Sequence, residues 1–61
     1  MNGYVEFETI DGEPIGINVD RVSFVRRFRG RGDASAINFE KGNYVVVRGD
    51  IDYVMSVLAH G

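Results

Sequence analysis

The residues best suited by type and spacing to chemistry are arginines interleaved with phenylalanines in the middle of the chain. Guanidinium groups pair with phosphates and aromatic rings stack on bases, so this segment could bind single-stranded nucleic acid or an acidic partner. The alternative is internal compensation, in which the arginines face acidic residues on neighbouring strands. We expect compensation, because the first 20 residues hold five acids and no basic residue. The basic segment contains Arg26, Arg27, Arg29 and Arg31 with Phe24 and Phe28, and within it Arg27 and Arg29 are expected to face Glu6, Glu8 or Glu40.

The sequence offers little for catalysis or for holding a cofactor. The single histidine, His60, has no serine or carboxylate placed by the sequence to orient it. Glu6 and Glu8 share one face of a predicted strand, but nothing predicts a pocket around them in so small a domain. The chain has no cysteine to complete a metal site with that histidine. We therefore expect no enzymatic activity, no catalytic residues, no cofactor and no bound metal.

Length and composition predict one small domain over residues 1–61. Of its 61 residues 44% are apolar, and its net charge at pH 7 is −2, which argues against general nucleic-acid binding. A domain of about 60 residues buries only about 60% of its unfolded surface, and without disulfides self-association is one way to gain stability. No apolar run approaches the roughly 20 residues that cross a bilayer. We expect a soluble, cytoplasmic protein.

Alternating and β-branched segments predict five short strands, and an apolar period of 3.6 predicts a helix after them. Asp11-Gly12 is a strong hairpin signal between the first two strands. A single turn is predicted over residues 18–21, where the Asp20 carboxylate can accept backbone hydrogen bonds. Glycine-containing residues 30–35 form a flexible connection. The predicted strands are residues 4–10, 15–19, 23–29, 36–40 and 44–48, and the helix follows Asp50.

These elements predict an α+β fold: a small antiparallel β-meander of four to five strands with one C-terminal helix packed on one face. The Asp50 carboxylate can cap the helix, and an apolar stripe at i, i+3, i+4 and i+7 is expected to face the sheet. A helix of about nine residues is about 14 Å long and cannot cover a whole sheet. The predicted core is Val5, Phe7, Ile15, Ile17, Val22, Val25, Ile37, Phe39, Val45, Val47, Ile51, Val54, Met55 and Leu58.

Apolar side chains therefore remain without a covering layer. Tyr53 and Val57 form a second i, i+4 pair on the helix, and Tyr44 and Val46 point to the uncovered face of the sheet. A second apolar surface on a small domain is typical of contact with another protein, so we expect these four residues to form an interface. The facing of the third strand stays open, because either of its two alternating sets could point inward.

Several segments also follow a recurring order along most of the chain. They are Asp11-Gly12, Ile17-Asn18-Val19-Asp20-Arg21-Val22, Ile37-Asn38-Phe39-Glu40-Lys41-Gly42, Val45-Val46-Val47 and Val54. This order resembles the small FlbD-like family associated with flagella and swarming motility. The family pattern is a short strand, a glycine turn, an Asn-x-Asp-x-Ile/Val element, a hairpin ending in a glycine turn, a Val-rich strand and a terminal helix. The resemblance implies a non-enzymatic accessory protein that acts through contacts, and it supplies no catalytic residues.

Together these features predict a non-enzymatic protein-interaction module that forms homo-oligomers and binds a protein of unknown identity. A motility accessory protein and a phage-type inhibitor of a host protein both fit this description. The alternative is a single-stranded nucleic-acid-binding module that uses the basic strand and turn from Arg26 to Arg31. Two features distinguish these functions: the face that carries Phe24 and Phe28, and whether the arginines pair with the N-terminal acids.

Overall fold

The computed structural model describes residues 3–61, and in it five antiparallel strands are followed by one helix. This arrangement confirms the α+β fold expected from the sequence. No helix in this range is long and apolar enough to cross a membrane. The strands are β1 (Tyr4–Glu8), β2 (Pro14–Asn18), β3 (Phe24–Arg27), β4 (Ala34–Asn38) and β5 (Tyr44–Arg48), and the helix is α1 (Ile51–Ala59).

The strands form two sheets, where the sequence suggested one continuous meander. β1 and β2 make a hairpin, and β3, β4 and β5 make a three-stranded sheet in that order. A 3-10 turn at Val19–Arg21 separates β2 from β3. Its backbone is held by the Asn18 side chain, which accepts a hydrogen bond from the Asp20 N–H at 3.1 Å, so Asn18 takes the role expected of the Asp20 carboxylate. An isolated bridge between Thr9 and Val47 joins the hairpin to β5.

The first four strands differ by one or two residues from their predicted bounds, and only β5 keeps both of its predicted ends. β3 stops at Arg27, since Arg29 and Gly30 both have positive φ angles, 52° and 75°, which extended strands do not adopt. β4 begins at Ala34, two residues earlier than predicted, so the connection before it keeps its predicted length but lies two residues earlier, at residues 28–33. The chain then leaves β4 through a second 3-10 turn, Glu40–Gly42, before β5.

The core lies on one side of the three-stranded sheet, which we call the inner face. Ile37 and Val47 on this face are fully buried, and they pack with Phe7 and Ile17 of the hairpin and with Val54 of α1. The hairpin and the helix therefore cover the inner face together. Ser35 is also fully buried there, and its hydroxyl donates a 2.8 Å hydrogen bond to the Gly49 carbonyl.

The helix faces the core with part of the predicted stripe, Val54 and Leu58, and with Val57 in place of Met55. Val54 is 0% exposed as expected, but Met55, predicted to be in the core, is 52% exposed. Val57, predicted to point outward, packs against the core. The cause is Tyr53: its ring lies against Gly49 and meets the Phe7 ring edge-on, with centroids 6.3 Å apart. This contact turns the Tyr53 and Val57 side of the helix inward and leaves Met55 on the flank.

Candidate functional site

The other side of the three-stranded sheet, here called the outer face, is covered by neither the hairpin nor the helix. Strand pairing aligns two rows of residues across β3, β4 and β5 on this face. The first row contains two large aromatic side chains, Phe24 and Tyr44, which are 48% and 56% exposed. The rows are Phe24, Asn38 and Tyr44, and Arg26, Ala36 and Val46.

The register settles the facing of the third strand, which the sequence left open. Val25 pairs with the buried Ile37 and packs against the core, so its neighbours along β3 point outward. The Phe28 N–H donates to the Ala34 carbonyl at 3.1 Å, which continues the pairing one residue beyond β3. Phe28 therefore lies on the same side of the strand as Phe24, and both rings are on the outer face.

A shallow concavity of about 660 Å³ lies on this face. Ala36 is 5% exposed and forms part of its floor, and the rings of Phe24, Phe28 and Tyr44 contribute to its walls. Three arginines and one amide complete the polar part of the lining. Among residues 3–61, none that line this concavity is acidic; the polar residues are Arg26, Arg27, Arg29 and Asn38.

The expected compensation of Arg27 and Arg29 by Glu6, Glu8 or Glu40 is wrong. Within residues 3–61 no salt bridge joins Arg26, Arg27 or Arg29 to a carboxylate. The guanidinium carbons of Arg26 and Arg29 instead lie 5.4 and 5.3 Å from the ring centroids of Phe24 and Phe28. Strand order explains the difference, because β1 meets the three-stranded sheet through β5, at the edge opposite β3.

Two other arginines do pair with acids. Arg48 at the end of β5 lies 3.7 Å from Glu8, and its guanidinium also donates to the Ile10 carbonyl. Arg31 donates two hydrogen bonds, of 3.0 and 3.2 Å, to the Asp33 carboxylate. These hydrogen bonds and the positive charge of Arg31 lower the pKa of Asp33 below its ordinary value. Arg31 is therefore engaged within its own loop, and the structure separates it from the other three arginines of the basic segment.

The four residues expected to form an apolar interface do not make one surface. Tyr44 and Val46 lie on the outer face, whereas Tyr53 lies on the helix, which packs on the inner side of the sheet. Tyr53 is 52% exposed although its ring contacts the core, and Val57 belongs to the core packing. Of the four residues, Tyr44 and Val46 share the outer face with the exposed Phe24 ring.

The residues weighed for catalysis are not brought together. Glu6 lies on the side of the hairpin away from the core, and exposed His60 follows the end of α1. Over residues 3–61, no group of three or more His, Asp or Glu side chains is placed to hold a metal ion.

The alanines under the rings are the part of the site that sequence reasoning missed. Ala34 and Ala36 are both buried, and they keep the outer face low between its larger side chains. The signal was present, because alternation from the apolar Ile37 places Ala36 and Asn38 on the opposite face of the strand. With these positions known, the arrangement offers aromatic stacking surfaces, unpaired positive charge and an amide in one concavity.

Comparison with known proteins adds no relative to this description: no family model, curated protein or solved structure matches the chain.

Proposed function

We propose that this chain is a small, non-enzymatic binding module whose outer face binds single-stranded nucleic acid. The observation that carries the proposal is the joint position, on one face, of three aromatic rings and two arginines, Arg26 and Arg29, which make no salt bridge within residues 3–61, around a concavity with no acidic lining residue. Unstacked bases require flat apolar surfaces and phosphates require positive charge, and the outer face presents both side by side. The absence of cysteine fits a cytoplasmic location.

Each group on the outer face has a distinct role in this proposal. Bases stack on the exposed rings of Phe24 and Tyr44, which lie two strands apart and therefore about 10 Å from each other. The guanidinium groups of Arg26 and Arg29 contact phosphates while they remain against their phenylalanine rings. Asn38, between the two stacking rings, carries an amide that can bond to a base edge.

The acidic net charge is compatible with this function because the acids lie elsewhere. Glu6 and Glu8 project from the hairpin, and Asp50 and Asp52 lie at the start of the helix. With few arginines available, binding should be weak and strongly dependent on salt, since affinity for single strands follows the number of phosphates neutralised.

A second candidate function is protein interaction, including self-association into a homo-oligomer, through the same face. The exposed Tyr44 ring beside Val46 supports it, because aromatic residues are enriched at protein interfaces. The motility accessory and phage-type inhibitor hypotheses belong to this candidate, and they rest on the sequence resemblance and on the small acidic character of the chain. An interface through Tyr53 and Val57 has less support than the sequence gave it, because Val57 packs against the core.

One titration distinguishes the two candidates. Fluorescently labelled oligo(dT) and oligo(U) are titrated with the purified protein at low salt, and binding is followed by anisotropy. Tyr44→Ala should lower the affinity roughly 5- to 150-fold, because stacking on one aromatic ring contributes about 1–3 kcal/mol per base. Tyr4→Ala is the matched control, because Tyr4 is 57% exposed but lies on the hairpin, and it should bind like the wild type.

Sedimentation velocity on the same proteins completes the test. A monomer that binds oligonucleotide through Tyr44 supports the first candidate. An oligomer that dissociates on Tyr44→Ala, with no oligonucleotide binding at low salt, contradicts nucleic-acid binding and supports protein interaction through the outer face.

A further inference from the structure

β3 is an edge strand: among residues 3–61, no strand pairs with the backbone groups on its side away from β4. It lies at one end of the three-stranded sheet and pairs only with β4. The hydrogen bond from the Phe28 N–H to the Ala34 carbonyl marks that pair as hydrogen-bonded. Because hydrogen-bonded and non-hydrogen-bonded pairs alternate in an antiparallel ladder, Val25 and Arg27 direct their N–H and C=O groups away from β4. These groups can receive another strand.

An apolar groove runs beside this edge. It has a volume of about 410 Å³ and lies between β3, the Val19–Arg21 turn region and α1. Met55 lines the groove on the helix side. Its side chain is 52% exposed and lies outside the core, so it is free to contact a ligand in the groove. The apolar residues of the lining are Val19, Val22, Phe24, Val25, Met55 and Leu58.

We propose that an extended peptide segment of another protein adds to β3 as a further strand and places an apolar side chain in this groove. Val25 and Arg27 share the inner face of β3, so an added strand facing them presents side chains with the same two-residue period. One of these meets Val25 and the groove, and the other meets Arg27, which has no salt bridge within residues 3–61. The recognised pattern is therefore an apolar residue and an acidic residue two positions apart.

A second copy of this chain fits the edge poorly. Antiparallel pairing of β3 with another β3 would gather Arg26 and Arg27 of both copies in a four-residue ladder, and like charges there are destabilising. β2, an edge strand of the hairpin, has its inward side chains Ile15 and Ile17 packed in its own core, so it has none to insert. Arg27 instead favours an acidic peptide residue opposite it on the added strand, and on its helix side it borders a pocket with Asp50 and Asp52. This inference uses the edge and the groove rather than the outer face, and it does not rest on the proposed function.

The test uses a blocked eight-residue threonine-rich peptide containing one valine and one glutamate two positions apart. The control peptide is identical except that lysine replaces the glutamate. Titration into the 15N-labelled full chain is followed by amide chemical shifts and hydrogen exchange. The glutamate peptide should shift and protect the Val25 and Arg27 amides, and it should bind more tightly than the lysine peptide. Arg27→Ala should abolish that preference while leaving the groove intact.

Substitution in the groove completes the test. Met55→Glu should weaken binding of the glutamate peptide at least about tenfold, because it places a charge in the apolar groove and repels the peptide. Ser56→Glu adds the same charge at the next, exposed helix position, and it should bind like the wild type. Circular dichroism confirms that both variants are folded. The proposal is wrong if the β3 amides do not respond, if both variants lose binding equally, or if sedimentation shows a dimer that Met55→Glu dissociates.

Discussion

Removing the two arginines that lie over phenylalanine rings on the outer face should flatten the salt dependence of oligonucleotide binding. Arg26 and Arg29 make no salt bridge with any residue from 3 to 61, so each is able to neutralise one phosphate. On single strands each neutralised phosphate contributes about 0.7 to the slope of log K against log salt. The double variant Arg26→Ala with Arg29→Ala should therefore reduce the magnitude of that slope by about 1.4.

The measurement is anisotropy with labelled oligo(dT) at several concentrations between about 50 and 200 mM salt. The control is Arg21→Ala with Lys41→Ala, which removes the same amount of charge from exposed positions outside the concavity. This control should keep the wild-type slope, because long-range attraction between exposed charges is largely screened beyond about 10 Å at 0.1 M salt. An equal flattening in both double variants would refute the placement of the phosphates on the outer face, since net charge alone would then explain the binding.

Three further predictions concern stability and ionisation. Gly49→Ala should destabilise the fold by roughly 1–3 kcal/mol in urea unfolding, because φ is +118° and the Tyr53 ring occupies the space of a Cβ, whereas Gly32→Ala, with open space around it, should be near neutral. Val54→Ala should lower the free energy of unfolding by about 2 kcal/mol and Met55→Ala by less than about 0.5, because the first is fully buried and the second is half exposed. Because the pKa of Asp33 is lowered, its salt bridge with Arg31 stabilises the fold at pH values above the ordinary carboxyl pKa, and this stabilisation is lost as the pH falls through the lowered pKa. Arg31→Ala should return the pKa of Asp33 toward its ordinary value in an NMR titration.

Local sequence chemistry predicted the elements well. Asp11-Gly12 does form the hairpin turn, and the valine-rich run does form β5 over the predicted residues 44–48. The Asp50 carboxylate caps α1 by accepting the Tyr53 N–H at 2.8 Å. These features depend on neighbours within a few positions, which the sequence shows directly. The turn predicted over residues 18–21 is present at Val19–Arg21, but β2 and β3 belong to different sheets and do not pair across it as a continuous meander requires.

The facing of the helix and the pairing of the arginines could not be predicted locally. Four apolar positions on α1 fit a helical stripe equally well with Met55 or with Val57 inside. The contact of Tyr53 with Phe7, which selects Val57, joins residues 46 positions apart in the chain. The acids of β1 likewise seemed close to the basic segment, but the position of β1 beside β5 depends on long-range strand order.

The arginines of β3 connect the two proposed binding surfaces. An exposed edge strand is a site for unwanted pairing with another copy, and charged side chains on a short strand oppose that pairing. Arg26 and Arg27 provide such charges on a strand of only four residues. The same charges favour anionic ligands: phosphates over the outer face through Arg26, and a carboxylate beside the groove through Arg27. Phe24 lines both the concavity and the groove, so the two proposed surfaces share this residue as well as the strand.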